Sequence, residues 1–238
     1  MIPLLPVFSI VYRAYAIVWE NLRTLIRAAL LPGLVLVVLQ VVEDAVVPGR
    51  MLSVVFWLAG LPFAALIAVA CHRVFLLGPA SLDNPWSLFW SDRESSFLTW
   101  LVILGVATYL LSLVLGVVFL MAPDRWLRVA LFLFALIYLQ GRFSMVLPAT
   151  AVGERMFLSG SWYLTSGNGL RYAVALAIPV AFAIIVMLLL ISLAGFLPTP
   201  VFTIVITAWF VFTGAVEIAV LSLSYKFLTE SDLESGPW

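Results

Sequence analysis

Six unbroken apolar stretches constrain this chain more than any other feature. They cover residues 22–42, 52–74, 97–121, 127–152, 170–194 and 201–228. A hydrocarbon layer about 30 Å thick takes roughly 20 helical residues to cross, so each stretch is long enough. Turn formers or charges separate them: Pro48-Gly49-Arg50, Asp83-Asn84-Pro85, Pro123-Asp124-Arg125, Gly167-Asn168-Gly169 and Pro198-Thr199-Pro200. Backbone in lipid must bond to itself, and these runs lack the polar alternation of a barrel strand. The expected fold is an all-α integral membrane domain over 1–238 with six transmembrane helices. A short acidic tail, 229–238, holds Glu230, Asp232 and Glu234 and reads as a solvated end.

Charge supports the same class. Only 10% of the residues are charged, against about 25% in a soluble domain, so water cannot be the main solvent. Twelve basic and twelve acidic residues give no net charge to draw nucleic acid. One cysteine, Cys71, and one histidine, His72, exclude an intramolecular disulfide and a four-ligand zinc site. The start of the chain, with Pro3 and Pro6, lacks the pattern of a cleaved signal.

Basic residues orient the spans. With the N-terminus inside, the cytoplasmic flanks and inner halves hold Arg13, Arg23, Arg27, Arg73, Arg93, Arg142, Arg155, Arg171 and Lys226. The outer side holds Arg50, Arg125 and Arg128. Nine against three puts both termini in the cytoplasm. Ahead of the first span, residues 7–27 have helical amphipathic spacing. Ser9, Arg13, Ala16, Glu20, Arg23 and Arg27 share one face, and Phe8, Val11, Tyr15 and Val18 another. This is either a helix lying in the interface with its arginines toward anionic headgroups, or a bent extension of the first span.

Features return along the chain. Arg73, six residues before Pro79-Ala80, matches Arg142, six before Pro148-Ala149. Tyr15, Asn21 and Pro32 match Trp162, Asn168 and Pro179 at the same offsets, with Trp86 and Asp92 between the two sets. The expected unit is a short aromatic interfacial helix followed by an out-and-back hairpin. Three parallel units fall approximately at 7–78, 79–152 and 153–228.

The run Tyr138, Arg142, Pro148-Ala149, Glu154, Ser161-Trp162, Thr165 and Gly167-Asn168, leading into a new span, resembles the YciC-type bacterial inner-membrane proteins. It is also similar to the membrane domain fused to some bacterial glycerophosphodiester phosphodiesterases. The resemblance implies an inner-membrane location and brings no defined activity. In the fused enzymes catalysis belongs to a separate soluble barrel, which is not expected in the few residues beyond the sixth span.

Two charged residues fall inside spans. Arg142 in the fourth and Glu217 in the sixth lie at similar depth in the inner half. An unpaired charge at mid-helix costs about 2.5–3.5 kcal/mol on insertion scales, so the two are expected to pair, with Gln140 and Tyr138 nearby. The pair serves either as structural glue or as a proton or substrate site. Arg73, near the inner end of the second span, and Arg142 are candidate lipid-phosphate contacts, although snorkelling alone accounts for such arginines. His72 beside Cys71 is not a dyad, because adjacent helical residues point apart, and it reads as interfacial.

Small residues at spacing four mark expected packing faces: Gly60, Ala64 and Ala68 on the second span, and Ala173, Ala177 and Ala181 on the fifth. Pro32 and Pro179 are expected to kink their helices. The chain has no Gly-x-Ser-x-Gly elbow, His-Glu-x-x-His zinc helix or phosphate loop, and no cofactor is expected. Three functional classes follow. The first is a non-catalytic module that binds or stabilises another membrane component, with lipids and another membrane protein or a second copy as partners. The second is a transporter or lipid-handling protein. The third, an intramembrane enzyme, would need a second group converging on Glu217.

Overall fold

In the computed structural model, residues 4–46, 53–82, 88–119, 124–192, 196 and 198–235 are described. The breakers Pro48-Gly49-Arg50, Asp83-Asn84-Pro85, Pro123 and Gly195, together with Trp86, lie outside this set, as do the side chains of Asp232 and Glu234. The helices are α1 (Val7–Glu20), α2 (Leu22–Val46), α3 (Ser53–Leu77), α4 (Asp92–Phe119), α5 (Arg125–Phe143), α6 (Val146–Ala151), α7 (Leu158–Leu164), α8 (Gly169–Ser192) and α9 (Thr199–Ser235). A single 3₁₀ turn, Pro79–Ser81, follows α3, and there is no strand among the described residues. Six segments are long and apolar enough to cross a membrane, the fourth of them formed by α5 and α6 together.

The spans pair as three hairpins, α2–α3, α4–α5 and α8–α9. Contacts then run round a closed ring, α3 to α4 to α5 to α8 to α9 and back to α3. Helix α2 packs on α3, and α1 lies against α8 and α9. The short helix α6 touches α3, α4, α7 and α9 and is almost wholly buried. We call the end holding α6 and α7 the base, and the end with the hairpin turns the tips.

Local chemistry sets the helix starts. Asp124 Oδ1 accepts from the backbone N–H of Trp126 and Leu127, both at 2.8 Å, and so caps α5. Ser91 and Glu94 form a capping box on α4: the Ser91 N–H donates to Glu94 at 2.9 Å, and the Ser91 hydroxyl also reaches that carboxylate. Asn21 and Asn168 each stand one residue before a span, and their carbonyls accept from Leu25 (3.0 Å) and Tyr172 (2.8 Å). Pro32 and Pro179 lie inside the continuous helices α2 and α8, and Pro62 does so in α3.

Three expectations change. The fourth apolar stretch is not one helix: it breaks at Ser144 and Met145, between α5 and α6. Pro148 has no N–H for the Ser144 carbonyl, which instead accepts from Leu147 at 3.0 Å. Residues 7–27 are likewise interrupted, at Asn21, so Arg23 and Arg27 belong to α2. Nor does α1 lie free in the interface. Ile10, Val11, Ala14 and Val18 form a buried stripe within the core that includes Val216, Ala219 and Val220 of α9. One end of α1 is held at the first turn of α8, while the Tyr15 ring meets Phe182, about three turns farther along. Of the expected apolar face, Val11 and Val18 are buried and Tyr15 is half-buried, whereas Phe8 points outward. Arg13 and Glu20 stay exposed and pair at 2.6 Å.

Burial is confined to the base half. Among the described residues no side chain is buried beyond Pro32 in α2, before Gly60 in α3 or beyond Leu104 in α4. The same holds before Gly141 in α5, beyond Pro179 in α8 and before Thr213 in α9. Docking of α1 is checked by size. Ala14→Phe should lower the unfolding midpoint in detergent, as overpacking costs about 1–3 kcal/mol. Tyr12→Ala, on the exposed face, should leave it within about 0.5 kcal/mol. Equal, small effects would mean that α1 lies free.

Candidate functional site

The base gathers most of the buried polar side chains, and Arg142 is the most demanding of them. It sits in the last turn of α5 and is only 6% exposed. Its Nη2 donates to the Trp162 carbonyl at 2.6 Å and its Nη1 to the Thr165 carbonyl at 3.2 Å. Those carbonyls belong to the C-terminal turn of α7, where a helix leaves acceptors unpaired and carries partial negative charge. The guanidinium also lies 4.0 Å from the centre of the Trp162 ring. Two charge-assisted bonds at about 1.5–3 kcal/mol each, with a cation–π contact of about 0.5–2, are enough to offset the insertion cost of the arginine.

Neighbouring groups hold that geometry. Ser161 Oγ donates to the Arg142 carbonyl at 2.8 Å and accepts from the Met145 N–H at 3.2 Å, tying α7 to the break after α5. Ser144 Oγ donates to the Gly141 carbonyl at 2.8 Å and lies 3.0 Å from the Tyr172 hydroxyl of α8. Gly169 opens α8 directly against the arginine. A Cβ there would stand 2.7 Å from Arg142 Nη1, 3.0 Å from Cδ and 3.2 Å from the Tyr138 ring. Only glycine leaves room for the side chain.

The expected pairing with Glu217 does not occur. Arg142 turns to the α7 carbonyls, while Glu217 is exposed on α9 and makes no ion pair or hydrogen bond among the described residues. Its carboxylate acts electrostatically on the Tyr15 phenol, whose ring packs on Phe182 and Phe212. Equal depth along two helices does not set the direction in which each side chain points. Gln140 is exposed, and Tyr138 is near Arg142 as expected. Burial also removes Arg142 from the candidate phosphate contacts. Arg73 is half-buried and donates to the Ser81 carbonyl at 2.7 Å, at the end of the 3₁₀ turn.

His72 is not interfacial. It is 1% exposed, with Nδ1 2.8 Å from Ser222 Oγ of α9 and its ring 5.7 Å from that of Phe97. Cys71 is buried beside it. The Tyr225 hydroxyl donates to Glu154, joining α9 to the segment after α6. Of the small-residue stripes, Gly60 faces Leu36 of α2, which a Cβ added there would meet at 3.1 Å, and Ala68 packs with the cluster of Ala65, Val69, Phe97 and Ala151. Ala64 is half-buried. On α8, Ala173 is buried, Ala177 half-buried and Ala181 exposed. The α3 stripe therefore packs within the chain along its length, whereas the α8 stripe does so at Ala173 and in part at Ala177, with Ala181 left outside. The groups that sequence reasoning missed are Ser222, Ser161, Gly169 and Glu94. For Glu94 the Ser-x-x-Glu spacing was a usable signal.

No three His, Cys, Asp or Glu side chains cluster to hold a metal among the described residues. Comparison with protein families, with characterised proteins and with solved structures finds no match.

A double-mutant cycle tests the knot. Gly169→Ala should destabilise the chain by about 1–3 kcal/mol, and by much less when Arg142 is already alanine. Arg142→Lys should also lose stability, because an ammonium cannot stack on Trp162 and span two carbonyls. Arg142 and Glu217 substitutions should be additive within about 0.5 kcal/mol, and a larger coupling would restore the ion pair.

Proposed function

We propose that this chain is a non-catalytic membrane module that binds and stabilises another component of the same membrane through the tip half of its bundle. The observation that carries this reading is the distribution of burial. The base is closed by its own polar and apolar contacts, while the tip halves of six spans hold no fully buried side chain among the described residues and touch one another only in places, as where Trp209 of α9 donates to the Ala183 carbonyl of α8 at 3.2 Å. Helix association in lipid rests on van der Waals packing, so span halves that are only loosely packed on one another offer surfaces for other helices.

Three helical glycines fit that use. A Cβ on Gly33, Gly105 or Gly116 would meet nothing within 4 Å. Glycine costs a helix interior about 1 kcal/mol relative to alanine, and no internal contact requires it at these positions. On α4, Gly105, Tyr109, Ser112 and Gly116 recur at helical spacing and form one face along which a second backbone can approach. The second reading, transport or lipid handling through a site shared by Arg142 and Glu217, loses its geometry because the two side chains do not converge.

The same proposal places the base in the cytoplasm of a bacterial inner membrane, as the basic residues suggest. It includes three parallel repeats and membership of the YciC-type family. The alike positions of Asn21 and Asn168 before α2 and α8 support the repeat.

Native mass spectrometry after gentle extraction from the source membrane is the direct test. A stoichiometric second component, or a second copy, is expected. Gly105→Leu with Gly116→Leu should release it without lowering the unfolding midpoint of the lone chain, since leucine is the better helix former at both positions. A lone chain from native membranes would overturn the reading. A phosphatase reporter placed after Arg125 should be active and one placed after Arg155 silent; the opposite pattern would invert the bundle.

A further inference from the structure

A cleft of about 520 Å³ opens at the base between the start of α1 and the start of α8, lined in part by Val7, Phe8, Ser9, Leu170, Arg171 and Val174. The spans begin at this level, with Arg171 in the first turn of α8. Arg171 is held in place from behind. Its Nη1 donates to the Leu5 carbonyl at 3.2 Å, and the Leu5 N–H is itself fixed by Asn168 Oδ1 at 2.8 Å. Leu5 is fully buried, so this support does not move with the surface. The other N–H groups of the Arg171 guanidinium have no partner among the described residues. The walls on either side are apolar, and Phe8, Leu170 and Val174 are exposed.

We propose that this cleft binds the phosphate of an anionic phospholipid, with Arg171 on the headgroup and Phe8, Leu170 and Val174 along the acyl chain. Charge complementarity and position select that occupant. A guanidinium at the polar edge of a span, beside an apolar wall, matches an amphiphile with a negative head and is poorly matched to a free soluble anion. The Leu5–Asn168 support holds the arginine ready, which lowers the ordering cost of binding. Ser9, on the cleft wall, offers a hydroxyl to the same headgroup.

The test uses the full chain, delipidated in detergent and titrated with phosphatidylglycerol or phosphatidylcholine of identical acyl chains under native mass spectrometry. Phosphatidylglycerol should bind about five- to tenfold more tightly, as one basic contact at a membrane surface implies. Arg171→Gln should erase that preference, weakening phosphatidylglycerol more than phosphatidylcholine, whose phosphate is offset by its own choline cation. Val174→Trp, which fills the cleft and keeps the arginine, should also lower phosphatidylglycerol binding, and it serves if the Arg171 variant does not fold. Equal affinity for the two lipids, or a preference that survives both variants, would overturn the site.

Discussion

The structure depends on accommodating one buried guanidinium where water is scarce, with both of its terminal nitrogens bonded and its Nε left without a partner among the described residues. Arg142 enters the base from α5 and takes the free carbonyls of α7, while Ser161 returns a bond to the arginine's own backbone. Glycine at position 169 lets α8 start against the same side chain. Once α8 starts there, Asn168 takes the Leu5 N–H and Arg171 the Leu5 carbonyl, and the start of α1 is set. The stripe of α1 then meets α9, and α9 presents Ser222 to His72 of α3. The ring closes through side chains that each need a partner once removed from solvent.

The spans were legible in the sequence because lipid imposes a length and a composition that few other environments do. The break after α5 was readable as well, from Pro148, although hydropathy alone ran straight across it. The partner of Arg142 was not. Counting residues gives depth along a helix but not the direction around it, and a backbone carbonyl carries no residue type to recognise. The faces of α1 were only half legible for a related reason. Lipid and protein interior are both apolar, so Phe8 and Ile10 cannot be sorted by hydrophobicity, although one is exposed and the other buried. His72 looked interfacial because Arg73 follows it, and Ser222, set among leucines and valines, gave no sign of being its partner.

The division between a closed base and loosely packed tips also separates two kinds of glycine. Gly141 and Gly169 are explained from within, since an added Cβ would meet Leu176 in one case and Arg142 in the other. Gly105 and Gly116 have no such explanation in this chain. Small residues of one type thus answer to different surroundings, and the motif alone does not say which. Glu217 does not follow that division. It lies in the base half of α9, between buried Val216 and Ala219, yet stays exposed and outside the bonded network.

The bonds that close the base join distant parts of the chain, with Leu5 meeting Asn168 and His72 meeting Ser222. During synthesis the early helices therefore reach the bilayer well before their partners exist. The first hairpin has to wait there, with His72 and the buried face of α1 uncovered, until the last helix leaves the ribosome. The bond from His72 to Ser222 cannot form before α9 has been made, so the base is the last part of the fold that the order of synthesis allows to close.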